Sequence, residues 1–244
     1  MPLYKKLTSH PTALRVAPFV IFILLTAGQD KYGPASAYWF YLLKTIAGLG
    51  MIFALRPLVA EMRWAFSWEA VVVGVAVFAV WVGLDRYYPH TNEVLQNHLF
   101  PFLKKIGLGF LCSEPKPINS WNPNEQFGDG SALAWLFIAV RIFGSTFIVP
   151  PLEEVFYRSF LYRYLARHDF LSVPLKQFFP VSFFVTALIF GLAHNEWLAG
   201  IICGVAYQGL ALRKNRLGDV MTAHAITNCL LGVWVVWRGA WHFW

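Results

Sequence analysis

The sequence is poor in charged side chains, and this scarcity excludes several classes of protein. Asp, Glu, Lys and Arg make up 14% of the 244 residues, against about 25% in ordinary soluble domains. The mean hydropathy is +0.51, and the apolar residues come in long blocks rather than at amphipathic spacing. A soluble enzyme and a disordered chain are therefore excluded, and the sequence predicts an integral membrane protein.

The chain also has few cysteines and lacks two common motifs. Cys112, Cys203 and Cys229 cannot all pair, and they lack the spacing of a metal site. There is no HExxH motif and no glycine-rich nucleotide-binding loop. These absences argue against a disulfide-rich secreted domain, a metallopeptidase of the HExxH type and nucleotide-driven transport.

The charges that are present have a positive excess. Lys and Arg number 20 against 13 for Asp and Glu, which in a soluble protein would suggest nucleic acid. Here the basic residues flank apolar runs, where they anchor helices and set topology. We therefore expect the lipid bilayer as partner and no nucleic acid.

The apolar runs predict an all-α, polytopic membrane helix bundle. A spanning helix needs about 20 mostly apolar residues. The candidate runs are 14–29, 36–55, 68–84, 131–149, 180–197, 199–212 and 218–237. A long polar stretch, 85–130, contains an interfacial candidate at 99–112.

Two alternatives concern these spans. Residues 153–167 follow Pro150 and Pro151 and form either an eighth span or the continuation of the 131–149 helix across a proline kink. The positive-inside rule favours the continuous helix, with seven spans and a cytoplasmic N-terminus, because eleven of the 20 basic residues, Arg15 and Arg163 among them, then lie inside. The first run also fits a signal peptide, although a polytopic protein needs no removable signal.

Ionisable groups within spans are costly, so each is a candidate functional residue. The candidates are Glu153, Glu154, Arg158, His194, Asn195, Glu196, His224 and Asn228, with Lys44 and Arg141 as groups that could snorkel or pair. At 1.5 Å per residue, Glu153 and His194 lie about 20 Å from the cytoplasmic side and His224 about 12 Å. Three helices thus bring polar groups into one layer, as a single active site requires.

Helical spacing indicates which of these groups have a charged partner on their own helix. Glu154 and Arg158 have the i, i+4 spacing of an intrahelical ion pair, which leaves Glu153 to face something else. His224 and Asn228 share a face, and neither has a charge partner nearby in the sequence. A desolvated carboxylate can take a proton from water, one imidazole can orient that water, and a second imidazole with an amide can donate to an oxyanion. The pattern favours hydrolysis of an amide bond, the alternative being a polar network that only holds helices together.

Three motifs occur in order: EExxxR at 153–158, FxxxH at 190–194 and HxxxN at 224–228. Together they resemble the CAAX protease and bacteriocin-processing (CPBP/Abi) family, which includes the type II CAAX prenyl endopeptidases. The resemblance covers 131–237 and divides the chain into N-terminal helices with a long loop, 1–130, and a catalytic helix core, 131–244, within one membrane unit. Ser159 stands where the family usually has glycine.

The resemblance implies an intramembrane endopeptidase that cleaves a membrane-associated protein or peptide. It implies that Glu153 and His194 activate water, that His224 and Asn228 stabilise the oxyanion, and that Glu154 and Arg158 are supporting. We expect no cofactor, although Glu153, His194 and His224 would suit zinc by ligand type. The expected location is the cytoplasmic membrane of a bacterium or archaeon.

Two other functions stay open at this point. Intramembrane Glu, His and Arg also mark ion pathways, so a transporter or proton-relay protein is an alternative. A non-enzymatic immunity or scaffold protein built on the same fold is another.

Overall fold

A computed structural model describes residues 10–29, 31–109 and 121–244, and these residues form helices and no strands. The principal helices are α1 (Pro11–Thr26), α2 (Ser36–Leu55), α3 (Trp68–Leu84), α4 (91–105), α5 (Pro123–Phe127), α6 (Ala132–Ala166), α7 (Pro180–Leu192), α8 (Trp197–Lys214) and α9 (Gly218–Arg238). Short 3₁₀ turns lie at Ala60–Met62, Asp85–Tyr87, Phe170–Ser172 and Trp241–Phe243. The predicted all-α fold class is confirmed.

Each predicted apolar run corresponds to a helix. Within the described ranges, four helical stretches are long and apolar enough to cross a membrane, namely Ser36–Leu55, Trp68–Lys105, Ala132–Ala166 and Gly218–Arg238. The second of these is interrupted at 88–90. Helices α1 and α7 are apolar but shorter, at 16 and 13 residues, and would span only about 24 and 20 Å. The interfacial candidate at 99–112 is helical up to Lys105, and its last three residues lie outside the described part of the chain.

Helix α6 decides between the two proline alternatives. It runs without interruption for 35 residues, so the alternative in which 153–167 is a separate helix is wrong. The chain accommodates Pro150 and Pro151 through a π-helical segment, Gly144–Ile148. Val149 there donates its N–H to the carbonyl of Gly144, and Pro150 has no N–H to give. The carbonyl of Ser145 therefore has no donor within its own helix.

Helices α7 and α8 cross closely because small residues face each other. A Cβ on Gly204 would lie 2.9 Å from the Cα of Ala187, and one on Gly200 would lie 2.9 Å from the Cα of Gly191. Larger residues at these positions would force the helices apart. The close crossing fixes the turn between the helices, which carries His194.

A buried ionic cluster holds α1 and α6 together at one end of the bundle. The Glu61 carboxylate accepts from Arg15 Nη2 at 2.9 Å and from Arg163 Nη2 at 2.7 Å. The Ser159 hydroxyl donates to the same carboxylate at 2.8 Å and accepts from Arg15 Nε at 2.9 Å. Arg15 and Arg163 therefore lie on the same side, as the continuous α6 of the seven-span arrangement requires.

The Glu61 cluster predicts a pH-dependent stability. Burial alone would raise the pKa of Glu61, but Arg15, Arg163 and Ser159 lower the pKa to about 2. A lowered carboxyl pKa stabilises the fold above the unfolded value of about 4.5, and this contribution is lost as the pH falls towards 2. We expect Glu61→Gln to cost up to about 3 kcal/mol at pH 7.

Thermal unfolding in detergent would measure this effect. The Tm difference between the wild type and Glu61→Gln should shrink by more than half between pH 7 and pH 3. Glu93→Gln, at an exposed position, is the control and should leave Tm unchanged at both values. An equal Tm loss at pH 7 and pH 3 would show that the charge on Glu61 contributes nothing.

Candidate active site

The predicted catalytic residues line one cavity of about 1250 Å³. Helix α6 contributes Glu153, the turn after α7 contributes His194, and α9 contributes His224 and Asn228. The predicted supporting residues, Glu154 and Arg158, are fully buried behind its wall. The structure thus brings the sequence-predicted residues together, and their catalytic roles stay predictions.

Of the two adjacent glutamates of α6, Glu153 is the one that lines the cavity, which Glu196 also lines. Glu153 Oε2 is buried and has no hydrogen-bond partner within the described ranges. The adjacent Glu154 forms an ion pair with Arg158, with Nε and Oε2 3.3 Å apart, as the spacing predicted. Of the two glutamates, Glu153 is the one with an unpaired oxygen for a water molecule or a substrate.

The partner of His194 determines which of its nitrogens can accept a proton. His194 Nδ1 lies 2.7 Å from the carbonyl oxygen of Phe190, and a carbonyl only accepts. Nδ1 therefore carries the hydrogen, and in the neutral imidazole Nε2 offers a lone pair. The FxxxH spacing explains this bond, because a backbone carbonyl four residues earlier lies directly below the ring.

A segment outside the motifs positions the His194 turn. The Thr91 hydroxyl donates to the His194 carbonyl at 3.0 Å, and the Thr91 N–H donates to the Asn195 carbonyl at 2.9 Å. The Trp81 ring meets the imidazole edge-on at 5.4 Å. These contacts were not predicted, because nothing in the sequence of the polar stretch 85–130 indicates that it packs against the His194 turn.

His224 has a charge partner on another helix, although it has none nearby in the sequence. Its Nδ1 lies 2.8 Å from Glu154 Oε1, across 70 positions of sequence. Arg158 Nη1 donates to the same Glu154 oxygen at 3.3 Å, and the guanidinium packs over the Phe190 ring at 4.4 Å. With Nδ1 bonded to the carboxylate, His224 donates to the cavity only when it is doubly protonated, and Glu154 is then its counter-ion.

Asn228 is oriented by the carbonyl that the prolines leave free. Its Nδ2 donates to the Ser145 oxygen at 2.8 Å. A side-chain amide has two N–H donors, so one remains for a ligand in the cavity. The sequence signal for this contact was Pro150, which removes the helical donor that Ser145 would otherwise have used.

Comparison with known proteins bears on this part of the chain. Residues 133–230 match the model of the type II CAAX prenyl endopeptidase Rce1-like family. This region is similar to that family. The match includes the EExxxR, FxxxH and HxxxN motifs and confirms the predicted resemblance. No curated protein and no solved structure matches the chain.

The match over residues 133–230 bears on function at the level of the family. The match supports a CAAX-type intramembrane protease at the level of the family. A membrane-associated substrate follows at the same level. The cavity is lined by polar residues of this region and also by residues of helices α1 and α2.

The alternative zinc site does not fit the geometry of the Rce1-like region. Throughout residues 10–29, 31–109 and 121–244, no three His, Cys, Asp or Glu side chains converge on a point that could hold a metal. Glu153, His194 and His224 are therefore not arranged as a ligand set, and no step proposed below passes through a metal.

Proposed function

We propose that the chain is an intramembrane endopeptidase in which Glu153 and His194 activate the attacking water. A single observation carries the proposal: an unpaired carboxylate oxygen, two imidazoles and an amide line one cavity of the Rce1-like region. Their hydrogen-bond partners also differ in the way that general-base and oxyanion roles require.

The two histidines have different proposed roles because their Nδ1 atoms have different hydrogen-bond partners. Neutral His194 accepts a hydrogen bond from water at Nε2 while Glu153 takes the proton. The resulting hydroxide attacks the carbonyl carbon of the peptide bond. The oxyanion that forms receives hydrogen bonds from doubly protonated His224 and from the free N–H of Asn228. Glu153 then delivers its proton to the leaving amine, and the C–N bond breaks.

Glu154 and Arg158 support this step without touching the substrate. In the ground state, the negative charge of Glu154 balances the positive charge of Arg158, and both side chains are fully buried. When His224 is protonated, the group of three carries one net positive charge. That charge lies beside the position where the oxyanion develops, which lowers the barrier rather than strengthening substrate binding.

The same proposal gives the molecule an orientation. Arg15 and Arg163 meet at Glu61, and the positive-inside rule assigns such a basic end to the cytoplasm. We accordingly place the N-terminus inside, in the cytoplasmic membrane of a bacterium or archaeon.

Comparison of membrane peptides from cells that carry the wild type or Glu153→Ala would test the function. We expect a defined set of new peptide ends with the wild type and none of that set with the variant. Glu93→Ala, which changes an exposed glutamate, should give the wild-type pattern. Purified protein should keep its activity in a metal chelator. Identical peptide ends with and without Glu153 would rule out the proposed protease activity.

A further inference from the structure

A second cavity, of about 490 Å³, lies between helices α3 and α8. Among the described residues, it shares no lining residue with the cavity of the candidate active site. We call it the α3–α8 groove, and its lining consists of Trp68, Glu69, Val72, Val73, Ala206, Gly209, Leu210 and Arg213. All of these are apolar or glycine except Glu69 and Arg213, so the groove has an apolar wall with charges only at one end.

Gly209 gives the groove an open floor. A Cβ on Gly209 would meet nothing within 4 Å beyond its own helix. Gly204 of the same helix is different, because its Cβ would lie 2.9 Å from the Cα of Ala187. A glycine in a helix interior is less stable than alanine, and no neighbouring helix requires one at position 209. The missing side chain lets a ligand approach the backbone of α8 there.

The groove faces the bilayer. Trp68 is 75% exposed and Val72 is 66% exposed. Trp68 begins α3 and Arg213 lies in the last turn of α8, and the ends of spanning helices lie at the membrane interface, where tryptophan is enriched. From Arg213 to Ala206 the groove extends ~10 Å along α8, less than half of the ~30 Å hydrocarbon core. Its apolar wall therefore lies at the depth of the acyl chains of one leaflet.

The interfacial end of the groove has an excess of positive charge. Glu69 Oε1 accepts from Lys214 Nζ at 3.3 Å and lies 3.6 Å from Arg213 Nη2. Arg216, two residues further on, is paired with Asp219. One carboxylate thus faces two cations, and one positive charge has no counter-ion within the described ranges. Basic groups beside the ends of spanning helices attract anionic lipids.

Arg213 is the cation that is available to a ligand. Its side chain is 71% exposed, and 3.6 Å to Glu69 is too long for a hydrogen bond. A guanidinium can bind two phosphate oxygens at once. A phospholipid has its phosphate at the interface and its acyl chains below, which is the order of Arg213, Leu210 and Ala206 along α8. A lipid with a net negative charge also neutralises the excess, whereas a choline headgroup adds a further cation.

We propose that the α3–α8 groove binds one acyl chain of an anionic phospholipid, whose phosphate pairs with Arg213. The site is separate from the candidate active site, and the inference does not depend on the proposed protease function. It assigns a ligand class to a part of the molecule that the proposed chemistry does not use.

Native mass spectrometry of the whole chain in a neutral detergent would test the site. Bound lipids are counted during titration with phosphatidylglycerol, which is anionic, or with phosphatidylcholine of the same acyl chains. The protein carries Glu153→Gln, so that lipid binding is measured apart from any cleavage. We expect one phosphatidylglycerol to bind about 10-fold or more tightly than phosphatidylcholine, which corresponds to a charged hydrogen bond.

Two variants connect this binding to the groove. Gly209→Leu fills the floor and should weaken binding of the tight phosphatidylglycerol at least 10-fold without lowering Tm. Gly50→Leu, at another helical glycine whose Cβ would meet nothing within 4 Å, is its matched control. Arg213→Gln should abolish the preference for phosphatidylglycerol and leave phosphatidylcholine binding unchanged. Arg56→Gln, at an exposed arginine that ends α2, is the control for charge.

Several outcomes would overturn the proposal. Equal affinity for the two lipids would remove the role of Arg213, and unchanged phosphatidylglycerol binding by Gly209→Leu would place the lipid elsewhere. Displacement of the lipid by inorganic phosphate would indicate a site for a soluble anion, and a dimer that depends on Gly209 would indicate a second copy of the chain. If Gly209→Leu failed to fold, a headgroup preference that survives in Arg213→Gln would still contradict the site, and its loss would support the site.

Discussion

Glu153→Gln is expected to lower kcat by about 10² to 10⁴-fold, the range that a general base contributes, while the protein stays folded. The substitution keeps the size of the side chain and removes its ability to take a proton. Stability should not change, because Glu153 Oε2 has no hydrogen-bond partner among the described residues. Single-turnover cleavage of a peptide found in the proteomic comparison would measure the rate, and Tm in detergent would measure the fold.

The adjacent glutamate provides the matched comparison. Glu154 is fully buried and contacts both Arg158 and His224. Glu154→Gln leaves a buried guanidinium without its counter-ion, a change that costs about 3 to 5 kcal/mol. We therefore expect this variant to lose both activity and Tm, whereas Glu153→Gln loses only activity. Near wild-type turnover by Glu153→Gln would show that another group is the base.

The fold class and the cavity-lining residues could be predicted because both depend on short-range patterns. Apolar run length determines where a helix can cross a bilayer, and the observed helices follow the predicted runs. Spacing of four residues places Glu154 beside Arg158 on one helix, which left Glu153 on another face. Depth along each helix then placed Glu153, His194 and His224 in one layer.

Contacts between helices distant in the sequence could not be predicted. The bond between His224 and Glu154 depends on how α9 meets α6, and no local periodicity encodes that rotation. The Ser159 position shows the same limit. Sequence comparison indicated only a departure from glycine, whereas the structure has the hydroxyl bonded to Glu61 and Arg15. A polar side chain there joins α1 to the helix that carries EExxxR.

The proline pair illustrates a different limit. Pro150 and Pro151 were identified as a kink or a break, both of which are consequences for the backbone alone. Their chemical consequence is the free carbonyl of Ser145, which becomes visible only when α9 brings Asn228 to it. π-Helical segments are frequent at functional sites, and here the segment Gly144–Ile148 supplies an acceptor for the side-chain amide of Asn228.

That orientation leads to the second large effect, expected for Asn228→Ala. The Ser145 carbonyl holds one N–H of Asn228, and the other is free to donate to the oxyanion. Removal of one such donor costs about 10² to 10³-fold in kcat. KM should change little, because a ground-state carbonyl gains less from the donor than an oxyanion does. Steady-state kinetics on the same peptide would separate the two constants.

A control substitution at the next residue, and the comparison of kcat with KM, make this prediction specific. Cys229→Ala alters the next residue of α9, which lies outside the cavity lining, and should keep the wild-type kcat. Asn228→Asp is more informative, because it keeps the shape and removes both N–H donors; we expect it to be at least as slow as Asn228→Ala. A rise in KM with kcat unchanged would make Asn228 a substrate contact. His224, held by Glu154, would then be the remaining predicted donor to the oxyanion.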